Sequence, residues 1–425
     1  MQIWRVCANF AQGRGRYDLL VDGDMKKESL KILDFGALKA VEIPEVGKVN
    51  VFIGASGCGK STIMKVLAMC RWIYKMHCVR SYLKLSGVAA SPFSFSSEVI
   101  LKKNGLDAFV REGSLFDTKI SLIEYSYGSF TLRMEGDKFV FPTRPIPDDE
   151  LALEKVAYIS DKRGLLPDLI AGNVALRHGM FYLDETFRNF QLALGNISAS
   201  SMSYLGINVD VKKTASGKRI FVSPIKPLGS DYEIPLASSS SGIQNSVGLH
   251  FILEYFARHY DLVQTMNSTI VRYLADTDRL SDFKAAYNVG DFPYKRISLH
   301  IEEPELSLFP ENQKGLIDHM LFLMNSSRNA EINLSFATHS PYILTAINLR
   351  MLAARAREID AEATKSILGI VNPLPVKDVT AWEVRDGVVK SLIDNDTLLI
   401  DGTWLDSVSD TFDDQISKLN EIIYG

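Results

Sequence analysis

Apolar and polar residues alternate from Lys31 to Ile43, as in a half-buried pair of strands. Val49-Asn-Val-Phe-Ile53 is short, apolar and β-branched, the pattern of a strand buried on both faces. From Thr62 to about Lys84 the apolar positions Ile63, Val66, Leu67, Met69, Cys70, Ile73 and Tyr74 predict a helix. The first 25 or so residues mix strand-like pieces around Gly13-Arg-Gly15, and residues 85–115 carry weak signals. Alternation returns in 120–127, 129–134 and 138–141, separated by Gly128 and Gly136-Asp137, which predicts an antiparallel meander. Residues 171–205 read as helical and 206–230 as loops with short strands, and one long helical stretch is expected from Gly242 to about Tyr273. Strands at Arg296–Ile301 and Ile332–Ala337 then alternate with helices at 310–326 and 341–358. A hairpin about Asp386-Gly387 and a terminal helix from about Leu405 close the pattern.

Strands alternating with helices predict an α/β fold. A chain of 425 residues has room for a sizeable core. Lys plus Arg number 47 against 51 Asp plus Glu, a balance that argues against a dedicated nucleic-acid coat while leaving room for a local basic patch. Cys7, Cys58, Cys70 and Cys78 form no Cys-x-x-Cys pair, so neither a zinc site nor a redox dithiol is indicated, and a reducing, cytoplasmic compartment is expected. The amino terminus does not read as a signal peptide, and no stretch reaches the ~20 apolar residues of a membrane span.

Chemistry concentrates where the short strands end. Gly54-Ala55-Ser56-Gly57-Cys58-Gly59-Lys60-Ser61 follows a strand and opens a helix at Thr62, the context of a phosphate-binding P-loop. Its glycines let backbone N–H groups converge on a phosphate, and the helix start adds partial positive charge. Lys60 is placed to reach the β- and γ-oxygens and Ser61 to ligate Mg2+. Cys58 reads as a small residue tolerated in the turn. Glu302-Glu303 ends a buried strand, where one carboxylate can serve the metal (Glu302) and the other can activate water (Glu303). Thr338-His339 ends the next strand, so that His339 can hydrogen-bond a γ-phosphate; the alternative is a strand-end histidine satisfied by its neighbours. Ser238–Ser241 with Gly242 and Gln244 opens a helix, an anion site or, equally, a capped flexible linker.

Together these segments resemble the ATP-binding-cassette (ABC) ATPases of the OLD/RecF/SMC branch, closest to stand-alone ATPases of bacterial anti-phage systems such as OLD-like, Septu and PARIS proteins. The resemblance is carried by Gly54–Ser61, Tyr158–Pro167, Ser240–Gln244, Ile301–Pro310 and Thr338–Pro341. It implies a P-loop ATPase head with a mixed sheet, an antiparallel β subdomain and a helical signature lobe. It divides the chain into an N-terminal lobe (1–160), a signature lobe with an insert near 264–294 (161–295) and the remainder of the core (296–425). It implies ATP and Mg2+ as ligands, with ATP sandwiched in a head-to-tail homodimer. Ser241, Gly242 and Gln244 would then act across the interface, and Arg163 would approach the nucleotide or the partner. Glu302 stands where many ABC proteins carry Asp. The lobe-linking glutamine is not placed, with Gln191 the one candidate. The spacing differs from that of transporter motors, leaves no room for long coiled-coil arms, and shows no nuclease-like acidic cluster after His339. The implied role is a sensor or scaffold controlling a separately encoded effector, a nuclease. The alternative is a RecF-like repair ATPase that binds nucleic acid.

Overall fold

The computed structural model describes residues 26–88, 97–106, 120–136, 138–142, 144–176, 180–214, 217–226, 232–369 and 372–424. Cys7, the pieces around Gly13–Gly15 and Asp137 lie outside the described residues.

The first strands are β1 (Glu28–Phe35), β2 (Leu38–Ile43) and β3 (Val49–Ile53), after which helix α1 (Lys60–Leu85) and the short α2 (Ser97–Lys103) follow. The meander is β4 (Leu122–Tyr127), β5 (Phe130–Glu135) and β6 (Lys138–Val140), and β7 (Ala152–Ile159) returns to the core. The middle of the chain forms α3 (Leu166–Ala171), α4 (Phe181–Asn196), β8 (Ala199–Met202), β9 (Ile207–Thr214), β10 (Gly217–Pro224), β11 (Ile234–Pro235), α5 (Ser241–Arg258) and α6 (Leu262–Asp276). Then come β12 (Tyr294–Glu302), α7 (Pro310–Ser326), β13 (Glu331–Thr338), α8 (Pro341–Ile359), α9 (Ala361–Leu368), β14 (Val379–Arg385), β15 (Val388–Ser391) and α10 (Thr403–Tyr424).

The main sheet has the order β6-β5-β4-β1-β2-β15-β14-β3-β13-β12-β7. Strands β14, β3, β13, β12 and β7 are mutually parallel, and the meander extends the same sheet in antiparallel fashion. The architecture is therefore α/β with a mixed sheet. All five residues of β3 and seven of the eight in β13 are buried, as strands covered on both faces require. In α1, 17 of 26 residues are buried, so this helix is enclosed by the fold.

The sheet rolls around α1. Strands β1 and β12 are six places apart, which in a flat sheet is about 29 Å. Yet Arg296 Nη1 on β12 lies 3.4 Å from Glu28 Oε2 on β1, and its guanidinium sits 4.4 Å from the Tyr127 ring centroid on β4. The meander thus bends back to meet the parallel strands across α1, and the antiparallel β expected as a subdomain is an arm of the main sheet.

Two expectations need correction, and a third is refined. The helix expected over 171–205 covers Phe181–Asn196, and the chain then enters β8. The short strands expected among loops over 206–230 are the eight-residue β9 and β10, which pair in a second, four-stranded antiparallel sheet, β11-β10-β9-β8. The long helix from Gly242 is two helices, broken at His259–Asp261, where the Asp261 side chain caps α6 by accepting from Gln264 N at 2.9 Å. Apolar periodicity continues through that break, which hides it from the pattern.

Candidate active site

The strand register brings four chain segments to one edge. Ile53 pairs with Thr338, Ala337 with Glu302, and Ile301 with Ile159. The residues just beyond these pairs, at the carboxyl ends of parallel strands, are Gly54, His339, Glu303 and Ser160-Asp161. That edge is where an open α/β sheet receives ligands. A cleft of about 240 Å³ lies there, lined by Ala37, Ser56, Gly57, Gly59, Lys60, Ser61, Thr62, Asp161, Glu302, Glu303, Ala337 and His339. A larger depression along the outer face of α6, about 600 Å³, is shallow, drawn from one helix and its cap, and remote from these groups.

The phosphate loop has the backbone its sequence calls for. Gly59 has φ 106° and a Cβ there would stand 2.4 Å from Leu38 Cδ2; at Gly54 a Cβ would stand 2.1 Å from the Val384 carbonyl oxygen. Gly59 caps α1 with no side-chain hydrogen bond, and no acidic residue occupies the first turn. The N–H groups at this helix start are thus left for an anion. Lys60 is buried, and its Nζ donates to the carbonyls of Gly54 (2.8 Å) and Ala55 (2.7 Å). Burial pulls its pKa down, against the raising influence of Cys58, Glu303 and Glu305. Cys58 Sγ lies 3.8 Å from Nζ, while Cys70 and Cys78 are buried free thiols.

Glu302 is held from several sides. Its Oε1 accepts from the Tyr158 hydroxyl at 2.7 Å and lies 3.6 Å from Lys65 Nζ; its Oε2 accepts from Asp161 N at 3.3 Å. Lys65 in turn sits 4.6 Å from the Tyr182 ring centroid. Glu303 adopts φ 43°, unusual for a residue with a side chain, while its N–H donates to Ala337 O at 2.8 Å. Its carboxylate is half-exposed at the cleft, with Oε1 3.6 Å from His339 Nε2.

Glu305 locks the two strand ends together. Its Oε1 accepts from Thr338 Oγ1 at 2.6 Å and from His339 N at 2.9 Å. Ser340, beyond the histidine, caps α8 and donates to Gln313 Oε1 at 2.5 Å.

Arg163, expected at the nucleotide or the partner, is fully buried beneath the acidic pair. It donates to the carbonyls of Glu302 (2.6 Å) and Glu303 and, at 3.3 Å, of Ser160. Burial lowers its pKa to about 10. Ser241, Gly242 and Gln244 do not line the cleft of their own chain: Ser241 is exposed, and Gln244 Nε2 turns back to the carbonyls of Ala237 (3.1 Å) and Ser239 (2.9 Å). Gly242 packs on the loop after the acidic pair, where a Cβ would stand 2.6 Å from Ser307 O. Gln191 is exposed on α4, away from the cleft.

Sequence reasoning missed Asp161, Tyr158, Lys65 and the locking role of Glu305. Asp161 was within reach, because it follows a strand and opens a turn as Glu303 does. Tyr158 and Lys65 gain meaning from register and helix packing alone.

Residues 182–344 match the family model described as an AAA ATPase domain, AAA_15. The matched segment holds the acidic pair and His339, and the P-loop lies upstream of it. Comparison with curated proteins returns no match. Among solved structures, the chain is similar to an Smc head bound to the C-terminal winged-helix domain of ScpA (14% identity over 86% of this chain and 97% of that one, TM-score 0.32). It is also similar to a Pyrococcus furiosus Smc head with an extended coiled coil bound to the C-terminal domain of ScpA (13%, 86% and 96%, 0.35). A third is the SMC head domain from Thermotoga maritima (12%, 86% and 98%, 0.34). Among the described residues, no helix is long and apolar enough to cross a membrane.

Proposed function

We propose that this chain binds ATP with Mg2+ and hydrolyses it to ADP and phosphate. The observation that carries the reading is the shared cleft: Gly59, Lys60, Ser61, Glu302, Glu303 and His339 line one cavity, although 279 residues separate Lys60 from His339 in the chain. The donors suit the ligand. An uncapped helix start and a buried ammonium turned onto loop carbonyls are arranged for polyphosphate oxygens, and the Ser61 hydroxyl with the Glu302 carboxylate fits a hard divalent cation that retains waters. When bound, that cation supplies charge neutralisation at the β- and γ-oxygens.

Chain residues do the rest. Lys60 exchanges its loop carbonyls for phosphate oxygens. Glu303 accepts a proton from the attacking water as its oxygen bonds to the γ-phosphorus, and the bridging oxygen leaves with ADP. His339, 3.6 Å from Glu303, orients the water and the γ-oxygens. Lys60→Ala removes nucleotide binding, read by titration with a fluorescent ATP analogue. Glu303→Gln retains binding and loses at least about 100-fold in turnover. Normal turnover in Glu303→Gln would sink the assignment.

The exposure of Ser241 at an uncapped helix start supports a second step of the reading, in which Ser241, Gly242 and Gln244 complete the site of another copy in a head-to-tail dimer. On the resemblance described above, ATP-driven closure of that dimer controls a separately encoded effector, a nuclease, in anti-phage defence. Co-purification with the product of the adjacent gene tests this; a chain that ignores its neighbour in the presence and absence of ATP would rule it out.

A further inference from the structure

From Phe412 to Ile423 every residue of α10 is exposed, while Leu405 near its start packs partly buried against the core. The second half of the helix therefore stands off the body. It nonetheless carries large apolar side chains in water: Phe412 is 57% exposed, Ile416 55%, Leu419 57% and Ile423 67%. Their spacing of four, three and four residues is a 3.5-residue period, which draws one straight seam on a helix. Ile422 widens the seam on one side. A surface helix resting on its own domain would turn such a stripe inward.

We propose that this seam pairs in parallel with the same helix of a second copy, joining two chains in a short two-stranded coiled coil that does not need nucleotide. The seam residues specify the occupant. Setting Ile416 and Ile423 at a positions places Phe412 and Leu419 at d, and β-branched residues at a with Leu at d favour the parallel dimer. The flanking positions are Asp413, Gln415, Asn420 and Ile422; in a parallel pair Gln415 of one copy faces Asn420 of the other and can hydrogen-bond, while Asp413 faces the apolar Val408 position. Asp414, Lys418 and Glu421 fall on the outer face, where Lys418 Nζ already pairs with Asp414 Oδ2 at 2.6 Å. No like charges oppose one another across the seam. The excess of Asp413, Asp414 and Glu421 over Lys418 disfavours an anionic membrane surface as the occupant.

The pairing is independent of the ATP reading and complements it. Tethering two chains at one end raises the effective concentration of the heads for each other. The described seam spans about 16 Å, so the contact is short and the pairing is concentration-dependent.

Sedimentation velocity without nucleotide, from about 1 to about 100 µM, tests the proposal on the full chain. Wild type and Lys60→Ala give a dimer at the upper end, and the double variant Ile416→Lys/Leu419→Lys gives a monomer at every concentration. Both substitutions lie on exposed positions, and an unchanged thermal melt of the double variant verifies that the body is intact. Phe412→Cys forms a disulfide-linked dimer under mild oxidation, because parallel pairing brings the two 412 positions together; antiparallel pairing keeps them apart. A wild type that stays monomeric at the highest concentration overturns the proposal, as does a dimer indifferent to the two lysines. A dimer that appears with ATP alone overturns it while leaving the ATP reading intact. Binding to lipid vesicles that the two lysines abolish, with a monomer in solution, assigns the seam to a membrane and likewise overturns it.

Discussion

Glu302 shows how far a single side chain depends on its neighbours. A glutamate has one more rotatable bond than the aspartate common at such positions, and an untethered carboxylate there would sample several rotamers. Tyr158 removes that freedom by donating to Oε1 at 2.7 Å, and Lys65 adds charge at 3.6 Å, so Oε2 is the oxygen more available to the cleft. Groups that orient a metal-binding side chain typically contribute 10–100-fold to metal affinity. Tyr158→Phe is therefore expected to weaken Mn2+ binding to the nucleotide-loaded protein by about tenfold, measured by the EPR signal of free Mn2+, with metal-free nucleotide affinity unchanged. Unaltered Mn2+ affinity would mean that Tyr158 merely packs. At this scale much of the candidate site was legible, because Gly54–Ser61, Glu302-Glu303 and His339 each announce themselves within a few residues and meet at one cleft. Tyr158 and Lys65 did not, since an ordinary strand tyrosine and an ordinary helical lysine acquire a role solely by facing Glu302 across β7, β12 and α1.

Between elements, the start of α5 is coupled to the acidic loop by close backbone approach. Gly242 touches Ser307, itself at φ 61° in the turn that carries the chain from Glu303 to α7. A methyl group on Gly242 would meet the Ser307 carbonyl at 2.6 Å, and backbone cannot yield as a flexible side chain does. Gly242→Ala is thus expected to destabilise the nucleotide-free chain by about 1–3 kcal/mol in urea unfolding and to slow turnover by about tenfold. If Gly242 acts across a dimer interface and nowhere else, the nucleotide-free stability stays at its wild-type value. The same region shows where sequence reasoning fails. Elements with a dense apolar run and clear flanking signals, such as β3, α1 and α8, emerged close to their observed bounds. The α5–α6 break did not, because two short helices sharing an apolar face read as one. Strands β9 and β10 read as short pieces among loops because their exposed, Lys-rich ends dilute the alternation, and a hairpin pairing its own neighbours needs little apolar signal.

At the scale of the whole molecule, four buried charges link the arms of the rolled sheet. Arg71 on α1 donates to both carboxylate oxygens of Glu28 at 2.8 and 2.9 Å, and Tyr125 adds a third bond at 2.7 Å. Arg296 on β12 reaches Glu28 at 3.4 Å and Glu154 on β7 at 2.7 Å. The quartet is neutral and spans β1, α1, β12 and β7, the elements that the roll must bring together. Burial alone would push the Glu28 carboxyl up, but the charges of Arg71 and Arg296, with the hydrogen bonds from Arg71 and Tyr125, hold it at about 2 against an ordinary 4.5. A carboxyl lowered in the folded state stabilises the fold above its ordinary pKa, and that contribution fades as the pH falls from about 4.5 towards 2. The lowering corresponds to about 3 kcal/mol. Glu28→Gln leaves two guanidiniums facing Glu154 alone, and is expected to cost about 3–5 kcal/mol at pH 7. Denaturant unfolding of both proteins at pH 7 and again near pH 3 checks the origin of that cost. The gap between them narrows in acid if the Glu28 charge holds the two arms of the sheet together. A gap of equal size at both pH values would place the loss in packing, and the roll would then rest on the apolar surface of α1.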